Sequence, residues 1–229
     1  MDSITPELRA QGWSTTGLSR AIAALRNTAG DGAVQVVALD QDLNALALDE
    51  ASSSEAVWCP LTTAIDLEAL PLKWRSHPSL VMAARCGDIE AMQRHIAEAV
   101  ACDIGPGTLW LPVVVTAKGP LYGEAILPPS DTDGPYQQPF HLSDRQRQVV
   151  YRLAHRILKG LDVPPAVYLL GLGLEQRGTD ITKLWLDRVL PFPGEPAIAS
   201  LGIQAPDLFE CHWRCLTGQP LRDMIIAAS

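Results

Sequence analysis

The sequence predicts a mixed α/β fold that passes to α+β in its C-terminal part, and three observations predict it. Hydrophobic residues make up 47% of the 229 and charged residues 19%, which is enough apolar material for a sizeable core. Along the first half, stripes of helical period alternate with short β-branched runs. In the second half, two hairpin patterns flank one strongly capped helix. At ~100–200 residues per domain the length allows one large domain or two small ones. The pattern divides the chain into a small α/β segment at 1–70 and a larger domain at 71–229.

In the first segment, Leu18, Ile22 and Leu25 recur at helical spacing between Gly17 and Asn27, and Ala29-Gly30-Asp31-Gly32 ends the helix. Val34 to Leu39 reads as a buried strand ending at Asp40, Asn44 to Ala51 as a short helix, and Ala56 to Pro60 as a second short strand. That order predicts a small layer with parallel pairing.

In the middle, Leu80 to Arg85 is a strand candidate. Asp88 caps a helix with Ile89, Met92, Ile96 and Val100 on one stripe. Leu109 to Ala117 is a strong strand centred on Val113-Val114-Val115. The turn Lys118-Gly119-Pro120 returns it through Leu121 to Leu127 as a hairpin. Residues 128–140 are rich in prolines and turn formers, and read as a surface loop or linker. Ser143 and Gln146 form a capping box for a helix through Lys159, with Gly160 as its C-terminal cap. Ala166 to Leu174 and Ile181 to Asp187 are paired strands around the turn Arg177-Gly178-Thr179-Asp180. Pro191, Pro193 and Pro196 impose an irregular path, and a last helix covers about 206–217.

Several functions are excluded at this level. Eighteen basic against 26 acidic residues give a net charge of -8, the wrong sign for sequence-independent nucleic-acid binding. No apolar run approaches the ~18 residues that span a bilayer, so no membrane insertion is expected. Met1 to Glu7 has neither a basic nor an apolar leader region, so no secretory leader is expected there. The five cysteines, Cys59, Cys86, Cys102, Cys211 and Cys215, are odd in number and read as reduced thiols of a cytoplasmic protein. Cys211-His212-Trp213-Arg214-Cys215 is not a metal site on this reading, because His212 points about 100° away from the face that the two cysteines share.

No Walker-type phosphate loop, HExxH, GxSxG or CxxC occurs. Gly171 and Gly173 lack the dinucleotide fingerprint and signal close packing against another backbone. His155 reads as an ordinary, partly exposed histidine. Trp58, Trp74, Trp110, Trp185 and Trp213 fall in apolar contexts and read mainly as packing residues.

One order of residues is more specific. Trp185-Leu186-Asp187-Arg188-Val189-Leu190-Pro191-Phe192-Pro193 resembles the metal-binding strand of ATP-grasp enzymes of the carboxyaminoimidazole ribonucleotide synthetase type, which reads apolar-apolar-Asn-Glu-apolar-Ala-Pro-Arg-Pro. Phe209-Glu210-Cys211-His212-Trp213-Arg214, followed by Gly218 and Pro220, is similar to that family's closing helix, Phe-Glu-x-His-x-Arg-x-x-x-Gly-x-Pro. Ser143 to Leu174 resembles its helix and metal-ligand strand, and Val113 to Lys118 a strand that ends in a basic residue. The resemblance covers about 109–221. A weaker echo at Gly12 to Arg20 and Val36 to Asp42 resembles the family's opening glycine turn, helix and strand.

The resemblance implies an ATP-grasp-like fold, shortened between about residues 70 and 108, and a pre-ATP-grasp-like segment at 1–70. It also implies a chemistry of phosphoryl transfer to a carboxylate or carbonate, with capture of the acyl phosphate by an amine. That chemistry requires acidic side chains for magnesium and lysines over the nucleotide. Here Asp187 stands at the family's Asn, Arg188 at its Glu and Phe192 at its Arg, and Leu-Gly-Leu-Gly-Leu occupies the preceding ligand strand. The favoured expectation is therefore a non-catalytic relative with no cofactor, acting through an unidentified protein partner or a small effector. The alternative is an active ATP- and Mg-dependent ligase with Asp187, Glu175 or Glu124 as rearranged metal ligands. If nucleotide binding is retained, Lys73, Lys118, Asp187 and Arg188 are the residues to carry it. Related enzymes are often dimers, so self-association is open.

Overall fold

The computed structural model describes residues 12–30, 57–130 and 134–226. The expected strand at 34–39 and helix at 44–51 lie outside them. Among the described residues, a mixed seven-stranded sheet is sandwiched between two helical layers. Its path runs β1 (Asp103–Ile104), β7 (Asp180–Leu190), β6 (Ala166–Arg177), β2 (Leu109–Thr116), β4 (Ala125–Leu127) and β5 (Gln137–Phe140), with β3 (Gly119–Tyr122) also paired to β2. All pairs in it are antiparallel except β1 with β7.

Side chains alternate across a strand, so β6 feeds both layers. Tyr168, Leu170 and Leu172 join Leu111, Val113 and Leu186 under α2 (Pro78–Gly87), α3 (Ile89–Val100) and α4 (Asp144–Leu161). Val167 and Leu169 join Val114 and Ile126 under α1 (Thr15–Ala29), a 3₁₀ helix (Glu195–Ser200) and α5 (Leu208–Leu216). A short antiparallel pair, β8 (Gln204–Ala205) with β9 (Ile225–Ile226), lies apart from the main sheet.

Local chemistry fixes the helix starts. Ser143 Oγ accepts from Gln146 N–H, and Gln146 Oε1 accepts from Ser143 N–H at 2.8 Å, completing the expected capping box. Asp88 caps α3 by accepting from Ala91 N–H at 3.0 Å. Asp207 caps α5 by accepting from both Phe209 and Glu210 N–H at 2.9 Å.

Four expectations are corrected. Leu80 to Arg85 is helix, not strand: Pro78 occupies the first turn, where its missing N–H costs nothing, and Leu80, Met82, Ala83 and Cys86 fall on a helical face. Residues 57–60 of the second expected strand form no ladder, and Trp58 instead packs on Trp74 with ring centroids 4.5 Å apart. The proline-rich stretch is not wholly loop, because Gln137–Phe140 pairs with β4 at the sheet edge, where Pro139 is tolerated. Helix α4 runs past Gly160 to Leu161 and is capped by Asp162 at φ 52°. Gly160 serves packing instead, since a Cβ there would lie 3.2 Å from Val100 Cγ1 of α3.

The N-terminal helix is tied to the C-terminal layer by a carboxylate. Ser14 Oγ donates to Glu195 Oε1 at 2.6 Å and Ser14 N–H to Glu195 Oε2 at 3.2 Å. Negative charge at a helix start is favourable. Gly17 makes the approach possible, because a Cβ there would lie 2.0 Å from Glu195 Oε2. Gly17→Ala should therefore push the flexible Glu195 carboxylate off Ser14 and lower stability in urea denaturation by at most about 1 kcal/mol, because alanine's better helix propensity offsets part of the lost contact. In a Glu195→Ala background the same change should be stabilising, by up to about 1 kcal/mol. An equal cost in both backgrounds would show that the close approach is not the reason for the glycine.

Candidate functional site

Adjacent residues of a regular strand point to opposite faces. Asp187 and Arg188 escape this rule because the β6–β7 register shifts between them: Leu172 pairs with Leu186, whereas Gly171 pairs with Arg188. The extra residue makes a β-bulge, and bulges re-aim side chains. Asp187 and Arg188 thereby come to lie over the same partner, since a Cβ built on Gly171 would be 3.5 Å from Asp187 Cβ and from Arg188 Cγ. Arg188 Nε donates to Asp187 Oδ2 at 3.1 Å, and Gln93 of α3 fastens the bulge by donating to the Asp187 carbonyl at 2.5 Å.

The surroundings are built from glycine and indole. A Cβ on Gly173 would meet Trp185 Nε1 at 2.2 Å and the Pro106 carbonyl oxygen at 2.5 Å. The Nε1 edge of the Trp185 indole thus lies against Gly173, and its N–H donates to that same carbonyl at 2.8 Å. Gly105 also borders the ring, and Gly107 approaches the Asp187 carboxylate. The backbone packing expected at Gly173 is therefore partly a side-chain contact. Gly171 makes only ordinary contacts, with Trp110 on its other flank. Tyr136 joins the site from the loop before β5. Its hydroxyl pKa is raised by burial and by the Glu195 carboxylate, with Arg188 acting in the opposite direction.

The other expected residues are dispersed. Lys118 lies exposed in the β2–β3 turn, beyond Thr116, whereas the residue level with Arg188 on β2 is Trp110. Six strand positions from Trp110 to Thr116 amount to roughly 20 Å. Lys73 is exposed in the loop before α2, with its Nζ 5.0 Å from the Trp74 ring centroid. Glu175 is exposed opposite Lys183 near the β6–β7 turn, four positions or roughly 13 Å beyond Gly171. Glu124 is held by Arg147 of α4 at 3.1 Å, in the helical layer on the other face of the sheet. Asp180 pairs with Arg145 at 3.1 Å at the far end of β7. Among the described residues, no three His, Cys, Asp or Glu side chains are grouped to hold a metal ion. Magnesium needs several hard oxygen donors. Asp187 supplies a carboxylate, but its immediate neighbour is a guanidinium, so the residues on this face do not fit the ion.

Two aromatic residues of the resembling segments lie in the core. Phe192 is 2% exposed, and Phe209 is fully buried. His212 is also fully buried, and its Nδ1 accepts from Val167 N–H at 3.1 Å, joining α5 to β6. Glu210 and Arg214 pair along α5 at 2.5 Å. All five cysteines are free thiols, and burial raises their pKa values. The site residues missed in the sequence are Tyr136, Gly105 and Gly107. Gly105 and Gly107 come from the Gly-Pro-Gly run between β1 and β2.

No protein-family model matches the sequence, and no curated protein does. Solved structures do match. Glycinamide-RNase-transformylase T from Mycobacterium tuberculosis superposes at a TM-score of 0.53 with 19% identity, covering 70% of this chain and 59% of that one. N5-carboxyaminoimidazole ribonucleotide synthetase from Thermotoga maritima gives 0.43 and 14%, covering 55% and 32%. The Thermus thermophilus enzyme of the same name gives 0.42 and 19%, covering 52% and 33%. The first of these similarities shows an ATP-grasp-like fold, as expected from the sequence. The chain spans about a third to three-fifths of the length of these proteins. No helix among the described residues is long and apolar enough to cross a membrane.

His212 gives the fold a pH dependence with a definite sign. Burial lowers its pKa from the ordinary 6.5 to about 3. Between those values the unfolded chain binds a proton that the folded chain refuses. Stability should thus be fully present above the unfolded value and decline as pH falls through that window. Urea midpoints measured across it should fall more steeply with acid for the wild type than for His212→Gln, whose amide oxygen can still accept from Val167. Parallel curves would show that the imidazole is not the titrating group.

Proposed function

We propose that this ATP-grasp-like chain does not transfer phosphoryl groups and acts by binding a protein partner or a small effector. The observation that carries the reading is the Asp187–Arg188 pair. The resemblance calls for a metal-holding acid where Arg188 stands, and that guanidinium instead neutralises the neighbouring carboxylate at 3.1 Å. Two further features support it. The Trp185 indole lies against Gly173 on the same face, and Phe192, at the position of an anion-meeting arginine, lies in the core. A site can be lost while its scaffold persists, because folds host functions only through specific side chains. The free thiols support a reducing, cytoplasmic setting. A second copy of the chain is one partner that this reading allows.

Titration calorimetry with MgATP at millimolar concentration should give no saturable heat, and a coupled assay should detect no magnesium-dependent ATP hydrolysis. Saturable binding accompanied by turnover would overturn the proposal in favour of an active ligase using a rearranged set of acids.

A further inference from the structure

A groove of about 600 Å³ separates α1 from α5 and shares no residue with the face around Asp187. Its volume falls within the range of small-molecule sites, roughly 300–1,000 Å³. Ala23 and Ala24 of α1 and Leu201 supply its apolar lining.

The charges are arranged by helix. Arg20 lines the α1 side and makes no ion pair with any described residue. Asp207, Glu210 and Arg214 line the α5 side. Arg214 is already engaged, through Nη2 to Glu210 Oε1 at 2.5 Å. Among the described residues, Asp207 makes its capping bonds through Oδ1 and Glu210 its ion pair through Oε1, which leaves Oδ2 and Oε2. The uncommitted charged groups are therefore a guanidinium on one wall and two carboxylate oxygens on the other, and Asn27 and Gln219 add neutral amides to the lining. The formal charge of the lining is zero.

That arrangement selects against simple ions. A phosphate or a dicarboxylate drawn to Arg20 would face the two acids of α5, and a polyamine drawn to those acids would face Arg20. A molecule carrying both charges satisfies both walls. We propose that the α1–α5 groove binds a free α-amino acid as its zwitterion, with the carboxylate on Arg20, the ammonium on Asp207 and Glu210, and the side chain along Ala24 and Leu201. The site stands independently of whether the Asp187 face is catalytic.

The test is an amide-resonance NMR titration of the full chain with each of the twenty free amino acids at millimolar concentration. At least one should give saturable shifts confined to α1 and to 201–219. The N-acetyl and the carboxamide derivatives of that amino acid, each lacking one charge, should bind at least about tenfold more weakly. Arg20→Met, an exposed change, and Glu210→Gln, which keeps an acceptor for Arg214, should each weaken binding by a similar factor. The proposal is overturned if no amino acid gives saturable shifts, if a derivative lacking either charge binds as well as its parent, or if the shifts lie elsewhere.

Discussion

Strand β6 is buried on both faces from Ala166 to Gly173, and the remainder of the structure follows from that constraint. A strand closed on one face could be served by a single helical layer. Burying Tyr168, Leu170 and Leu172 on one side and Val167 and Leu169 on the other requires two. Each such side chain contributes on the order of 1.5–3 kcal/mol when removed from water. The second layer is assembled from distant parts of the chain, since α1 and α5 stand about 190 residues apart in sequence and pack on the same face. Specific polar contacts hold that layer in register. His212 accepts the Val167 N–H within the apolar seam, and Glu195 receives the start of α1. An unpaired amide at the first of these points would cost about 1–3 kcal/mol.

The same constraint separates the positions that kept the resemblance from those that departed. Phe209 and His212 match the ATP-grasp pattern, and both are fully buried against β6. Glu210 and Arg214 match it too and pair along α5. Their retention needs only a folded second layer. Asp187, Arg188 and Phe192 depart from the pattern, and none of these departures disturbs the core. Phe192 adds apolar burial where an arginine would have required a partner.

Much of the fold was legible in the sequence because it depends on local signals. The capping box at Ser143, the hairpin after Leu109 and the paired strands read at Ala166 to Leu174 and Ile181 to Asp187 carry their own punctuation and period. Leu80 to Arg85 was not legible: a short run of large apolar side chains followed by an alanine pair satisfies either period, and Pro78 was the discriminating signal. Gln137–Phe140 became a strand only because β4 offered an edge. The candidate site was legible as residue types but not as geometry. Nothing in Leu-Asp-Arg-Val announces a bulge, and alternation would have placed Asp187 and Arg188 on opposite faces. Gly173 could be read as a close-packing position, but its partner, the Trp185 indole, is specified by register and not by sequence distance.

The consequence of the bulge is greater for binding than for stability. Asp187 and Arg188 keep 22% and 43% of their side-chain surface exposed, and such pairs contribute only about 0–1 kcal/mol to folding. For a divalent cation the balance differs. An ion seated on the Asp187 carboxylate would lie within several ångströms of a fixed positive charge. At an effective dielectric constant near 20, two unit charges 4 Å apart interact by about 4 kcal/mol, and a divalent ion doubles that. The repulsion from Arg188 is then of the same order as the attraction to Asp187 and cancels much of it, so a single carboxylate beside a guanidinium offers magnesium little to offset its lost hydration. In a flat strand the arginine would have faced the other helical layer and left Asp187 unopposed. One inserted residue, by turning two neighbours onto one face, is enough to change an acid that could attract a cation into half of an ion pair.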